Sequence, residues 1–373
     1  MSTISRAHTG ILAALLAAAL SSGCGVSFES GSNITTLRVL AVQKDRPYAR
    51  PGEDVALQLM WHDPARDADP SLPPPSIGWI AACNNPDGDL YELCFEQFAA
   101  AFIGGEDLTD RVIIPEPGAS EANDRFSVTV PADVISSRPP PTSDDQVPYG
   151  LSYVFFAVCS GALAIDPSGG FPLLCYTEQD GSDGFTSGDT RLGSEDFVVG
   201  YSSIFSYESV ENQNPIVTGI DFNGVTFVSE ASSSVPDGAV ALPERDLCIG
   251  EACATPTPDD LSASCSEPLT VPICDGCEVP LKPAIDPASA EPDEVATRLS
   301  GSELGEQMWL NYYSSRGEVD DEVRLLNDAT TGWSDNFDSD FASGDQPGVG
   351  YVWAIAHDNR GGAEWLRLRI CIE

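Results

Sequence analysis

The 373-residue chain carries 58 Asp and Glu against 18 Lys and Arg, a formal net charge of −40. A polyanion of that size is repelled by phosphate backbones and anionic lipid heads, which argues against nucleic acid as a partner and against non-specific adhesion to a membrane surface. The length exceeds what one hydrophobic core usually organises, so two domains are expected once any leader is removed.

The chain opens with Arg6, an uncharged apolar run over Ile11–Leu20, and the small residues Ser21, Ser22 and Gly23 before Cys24. The run is too short for a settled membrane span, which takes roughly 20 apolar residues, and has the layout of an export signal. The arrangement resembles a bacterial lipoprotein signal peptide, although Ser21 stands where that family prefers Leu, with Leu20 one place earlier. The resemblance implies removal of residues 1–23, a diacylglycerol on Cys24 and anchoring to a membrane of the cell envelope. Gly25, rather than aspartate, after the cysteine implies sorting to the outer membrane. Residues 24–35 then form the lipidated N-terminus and a short polar tether.

Of eleven cysteines, ten remain besides Cys24: Cys83, Cys94, Cys159, Cys175, Cys248, Cys253, Cys265, Cys274, Cys277 and Cys371. An even number outside the reducing cytosol points to disulfides. Cys83 with Cys94 and Cys159 with Cys175 would each close a short polar loop at low entropic cost. Cys371 would staple the cysteine-rich segment to the second domain. Zinc at the Cys248–Cys277 cluster is disfavoured by export and by the lack of a histidine among these cysteines.

The first domain, residues 36–209, reads as strands at Thr36–Val42, Asp54–Trp61, Ile77–Cys83, Phe126–Val130, Leu151–Cys159 and Phe197–Tyr207. Alternating or continuous apolar residues between Pro/Gly turns carry that reading. Asp63–Ser76, rich in proline and aspartate, reads as an exposed loop. Tyr91–Phe102 places Cys94, Phe98 and Phe102 near one face at helical spacing, predicting a short helix on a sheet edge. The second domain, residues 210–373, resumes with Pro215–Phe222 and Val225–Val228 and holds a cysteine-rich insertion at about 229–292. It continues with strands at Val295–Leu299, Gln307–Tyr313, Glu322–Leu326, Gly350–Ala356 and Ala363–Cys371.

Trp79 and Trp309 open comparable strands, and the run Tyr153–Cys159 lines up with Tyr351–His357, which suggests an internal duplication. The expectation is an all-β protein of two tandem antiparallel sandwiches with disulfide-stapled loops. The strand–Pro-Gly–strand of Leu37–Trp61 and the Val352–Ile370 hairpin with its Asp358–Gly362 turn resemble immunoglobulin-like modules of bacterial surface lipoproteins. That resemblance implies a scaffold, an adhesin or a subunit of an envelope assembly.

Catalytic signatures are missing: no Gly-x-Ser-x-Gly, His-Glu-x-x-His or phosphate loop occurs. His62 beside Asp63 and His357 beside Asp358 read as polar turn residues at strand ends. Asp335, Asp338, Asp340 and Asp345 are candidate ligands for a structural calcium ion, a hard cation that takes six to eight oxygens. They do not fit the twelve-residue calcium loop. Trp333, Phe337 and Phe341 form the one loop cluster of aromatics that could offer rings to a sugar chain. These features lead to a non-enzymatic, lipid-anchored envelope protein that braces or binds other proteins. A polysaccharide-binding surface protein and, behind it, a calcium-dependent secreted hydrolase are the alternatives.

Overall fold

The computed structural model describes residues 31–104, 111–114, 122–165, 171–177, 190–232, 235–253, 269–273 and 277–373. The signal segment, Cys24, Cys265 and Cys274 lie outside the described residues. Within the first half, a three-stranded sheet runs Arg38–Lys44, Asp54–His62, Arg125–Thr129. It faces a five-stranded sheet ordered Tyr48–Ala49, Phe197–Ser206, Gly150–Cys159, Ser76–Asn84, Val112–Ile113. Alternate residues do the facing: Val55, Leu57, Leu59 and Trp61 from one sheet meet Ile77, Trp79, Val154, Phe156 and Val158 from the other. Trp79 is fully buried, stacked on Phe126 at 5.3 Å, and its indole N–H donates to the Asn123 carbonyl.

The second half repeats this layering with a six-stranded and a seven-stranded sheet around a larger core. Its central strand, Gly348–Asp358, is flanked by Met308–Ser314 and Ala363–Ile372, as Gly150–Cys159 is flanked by Ser76–Asn84 and Phe197–Ser206. The duplicated run therefore occupies equivalent places. The two tryptophans do not. Trp79 sits opposite Phe156 and points into the core, whereas Trp309 sits opposite His357 and stacks on it at 5.4 Å outside the core. Those partners differ by an odd number of places along the matched runs, and an odd step exchanges the faces of a strand.

The all-β expectation is overturned. Three α-helices stand among the described residues, which are 10% helix and 47% strand, and their sheets are mostly open rather than closed sandwiches. Helix α1, Pro64–Ala68, lies in the expected loop; the Asp63 carboxylate caps the amide of Ala65, and proline takes the first helical position. Helix α2, Leu93–Gly104, is the helix expected near Tyr91. Helix α3, Glu294–Ser300, replaces the expected strand Val295–Leu299. Asp293 caps its start through the Ala296 amide at 2.9 Å, and Gly301 ends it in the left-handed conformation at φ 71°. Val295, Thr297 and Leu299 mimic strand alternation, but the two caps decide the segment.

Disulfides join Cys83 to Cys94, Cys159 to Cys175 and Cys248 to Cys253, and Cys277 and Cys371 are disulfide-bonded as well. The first pins α2 against the outer face of the five-stranded sheet, where Phe95 and Phe98 pack on Phe155.

The chain from Ser32 to Glu373 is one compact unit. A further core joins the halves: Leu40, Ala41 and Met60 pack against Tyr351, Trp353, Ile355, Trp365 and the Cys248–Cys253 bridge. Ile34, from the end of the expected tether, is 2% exposed in that core, and its amide donates to the Ser314 carbonyl. Trp353 is buried between His62 and Tyr351. Truncating it should therefore open a cavity at the seam. We expect Trp353→Ala to lower stability by about 3–5 kcal/mol in denaturant unfolding; a loss under about 1 kcal/mol would mean that the seam contributes little.

Candidate functional site

Polar residues gather where the halves meet. The turn Asp358–Gly362 is built around the Asp358 carboxylate, which accepts from the amides of Arg360 at 2.7 Å and Gly362 at 2.8 Å. Asn212 donates to the same carboxylate from the segment linking the halves. Lys44, 2% exposed, donates from Nζ to the Ser203 carbonyl at 2.7 Å and feels the charge of Asp358. Burial pulls this ammonium down to about 8, against that attraction. At Gly361 (φ 91°) a Cβ would lie 2.7 Å from Lys44 Nζ, so any other residue would strain the backbone and displace the buried ammonium.

Arg360, also buried, pairs with Glu306 and reaches Glu291 at 2.9 Å. Burial and the neighbouring Asp358 push Glu306 up to about 7, while Arg360 opposes them. Glu364, on the last strand, accepts from Gln43 Nε2 at 3.0 Å and is held up to about 7 by burial, with Glu251 adding to the rise.

Both histidines among the described residues are engaged by neighbours. His62, 6% exposed, lies 3.1 Å from Asp67 of α1 and packs on Trp353. His357 stacks on Trp309 and is pulled down to about 4 by burial, hence neutral.

The calcium candidates are not brought together. The main-chain carbonyls of Asp335 and Asp338 accept from Lys282 and Arg324, that of Asp340 accepts from the Asp320 amide, and the Asp345 carboxylate accepts from Gln346. Among the described residues, no three His, Cys, Asp or Glu side chains are gathered as for a metal ion. Phe337 and Phe341 are 4% and 0% exposed, so the expected aromatic cluster is core rather than surface.

Open aromatic surface lies elsewhere. On the outer face of Phe197–Ser206, Tyr201 is 43% exposed and stacks on half-buried Tyr91 with centroids 4.4 Å apart, while Val199 on the same face is 47% exposed. A groove of about 750 Å³ runs between the loop Ile135–Tyr149 and α3, lined by Pro139, Pro140, Pro141, Tyr149, Val295 and Leu299. Arg138 on its floor is already engaged, covering the Tyr149 ring at 4.1 Å and pairing with Asp89. The only advance signal for the groove was its run of prolines; the tyrosine pair, remote in sequence, had none.

The chain matches no protein-family profile and no curated protein. Among solved structures, it is similar to the fibronectin(III)-like modules of CbhA from Clostridium thermocellum. The identity is 8%, covering 89% of this chain and 92% of that one, with a TM-score of 0.19. It is also similar to the two tandem V-type regions of VCBP3, a v-region-containing chitin binding protein. There the identity is 9%, covering 91% of this chain and all of the other, with a TM-score of 0.24. The likeness to these β-sandwich folds is weak.

Burial of Glu364 has a measurable consequence. Its folded pKa of about 7 lies above the ordinary 4.5. Its contribution to stability is thus complete below pH 4.5 and is lost as pH rises through 7. Glu251, Gln43 and the Trp365 amide are the groups acting on it. Glu364→Gln should reduce the fall in unfolding free energy between pH 4.5 and pH 8 by on the order of 2 kcal/mol. An unchanged fall would show that the carboxylate ionises freely in the folded protein.

Proposed function

We propose that the chain is a non-enzymatic binding protein of the bacterial envelope, tethered through a lipid on Cys24, and that its ligand is a polysaccharide. The exposed tyrosine pair carries this reading. A tyrosine ring offers a flat apolar face with a polar edge, and a pyranose offers C–H groups on one side and hydroxyls around its rim. Tyr201 and Val199 give such a face on an open sheet, held by Tyr91 behind it, and Glu92 beside Tyr91 is exposed and able to accept from sugar hydroxyls. The charge of −40 favours a neutral glycan over an acidic one.

We expect the protein to be retained on an insoluble neutral glycan, with chitin and cellulose as probes, and Tyr201→Ala to weaken retention at least ~tenfold while still unfolding cooperatively well above the assay temperature. Equal retention of the variant, or none of the parent, would sink the reading. A protein ligand is the second possibility, favoured by the proline-lined groove and by Leu299, which is 61% exposed at its edge. Leu299→Asp would then abolish capture of an envelope protein, while Tyr201→Ala would leave it intact.

Anchoring has its own test. Cys24→Ser should abolish labelling by radioactive palmitate and move the protein from the membrane to the soluble fraction. An unmodified mature N-terminus in intact-mass analysis of the parent would end the lipoprotein proposal.

A further inference from the structure

The groove between the loop Ile135–Tyr149 and α3 crosses the line on which the halves meet, one wall coming from each. Its floor continues the seam. Tyr207, 5% exposed, lies with its ring 6.1 Å from that of Tyr149 and 4.9 Å from that of Tyr48, over which Arg360 of the second half sits at 5.6 Å. Helix α3 is the unusual wall: none of its residues is buried, so its caps rather than a packed face keep it helical. Val295 and Leu299, four places apart, share one side of this helix and line the groove, Leu299 being 61% exposed. On the other wall stand Pro139, Pro140 and Pro141, all exposed, whose rings fix the backbone and leave little entropy to lose when they are covered.

In a chain of net charge −40 the groove is set apart by what it lacks: among the described residues that line it, none is acidic. Its charged group, Arg138, is already paired with Asp89. Carboxylates gather around it instead. Asp144 and Asp145 fall between the lining residues Thr142 and Gln146, Glu208 follows Tyr207 and Glu294 precedes Val295, all four exposed, against the exposed cation of Arg298. An apolar centre within a charged rim is the anatomy of a protein interface. A second copy of this chain fits poorly, because a twofold contact would set one acidic rim against another.

We propose that the groove takes an aromatic side chain, tryptophan above all, from an extended segment of a partner protein in which lysines or arginines flank that residue. The ring lies between the prolines and the side chains of Val295 and Leu299, so that its electron-rich face meets proline C–H groups on one side and aliphatic carbons on the other. The flanking cations meet the rim carboxylates, whose exposure makes them set encounter rate and choice of partner more than affinity. This assignment rests on the groove of the protein-ligand reading and supplies its chemistry; it does not depend on the tyrosine face.

Isothermal titration calorimetry on the mature protein tests the proposal with three peptides: acetyl-Lys-Lys-Trp-Lys-Lys-amide, the same peptide with alanine for tryptophan, and acetyl-Gly-Gly-Trp-Gly-Gly-amide. The first should bind at least ~tenfold more tightly than either of the others. Leu299→Asp, at an exposed position that the fold does not need, should weaken it by a similar factor even though the change adds a negative charge. A contact made by charge alone would instead be strengthened. Tyr201→Ala should leave it unchanged. Equal binding of the first peptide and either control, binding undiminished in Leu299→Asp, or a dimer of the parent that Leu299→Asp dissociates would each overturn the proposal. If the peptides fail to bind while Leu299→Asp still abolishes capture of an envelope protein, the basic-aromatic assignment falls and the protein-ligand reading stands.

Discussion

The ammonium of Lys44 sets how the two halves meet. Hydrophobic burial at the seam, from Met60 to Trp353 and Trp365, supplies a driving force without direction. An ammonium cut off from water tolerates few arrangements, because an ion without partners in a protein interior is costly. Lys44 reaches a carbonyl of its own half and the field of Asp358 from the other, and a side chain at Gly361 would have to displace its ammonium. Asn214 adds a direct tie, donating to the Lys44 carbonyl at 2.6 Å while its own oxygen accepts from Ala363. The apolar contacts hold the halves together, and these polar ones fix the register.

Scarce cations are spent inside. Lys44, Arg66, Arg360, Arg367 and Arg369 are all at least nine-tenths buried, although the chain has only 18 basic residues. Asp63, Asp246, Asp293, Glu306 and Asp358 are buried with them, so the surface keeps the full acidic excess and favours neutral or cationic ligands by long-range repulsion of anions.

Much of the layering was legible in the sequence. Strands such as Leu151–Cys159 and Gly350–Ala356 are uniformly apolar because both faces are covered, and Asp54–Trp61 alternates because its outer face is only partly covered. Segment Glu294–Ser300 imitates a strand because Val295, Thr297 and Leu299 fall at every second place; Asp293 and Gly301 are the better signal. Open surfaces escaped for another reason. Tyr91 and Tyr201, or Gln43 and Glu364, meet across more than a hundred residues, and no local pattern encodes a meeting of that kind. The aromatics picked from the Trp333–Phe341 loop turned inward because Phe341 takes a core place in a strand and Lys282 covers the Phe337 ring at 4.5 Å.

The final strand, Ala363–Ile372, is interior to its sheet, between Gly348–Asp358 on one side and Leu247–Ile249 and Thr270–Val271 on the other. It places Trp365 in the seam and Leu366, Leu368, Ile370 and Ile372 in the second core. A nascent chain therefore cannot complete either until its last residues emerge, whatever its N-terminal half has done. The first half, whose two sheets and core lie within residues 37–206, can form before this strand exists, so the seam and the second core are the parts that close last.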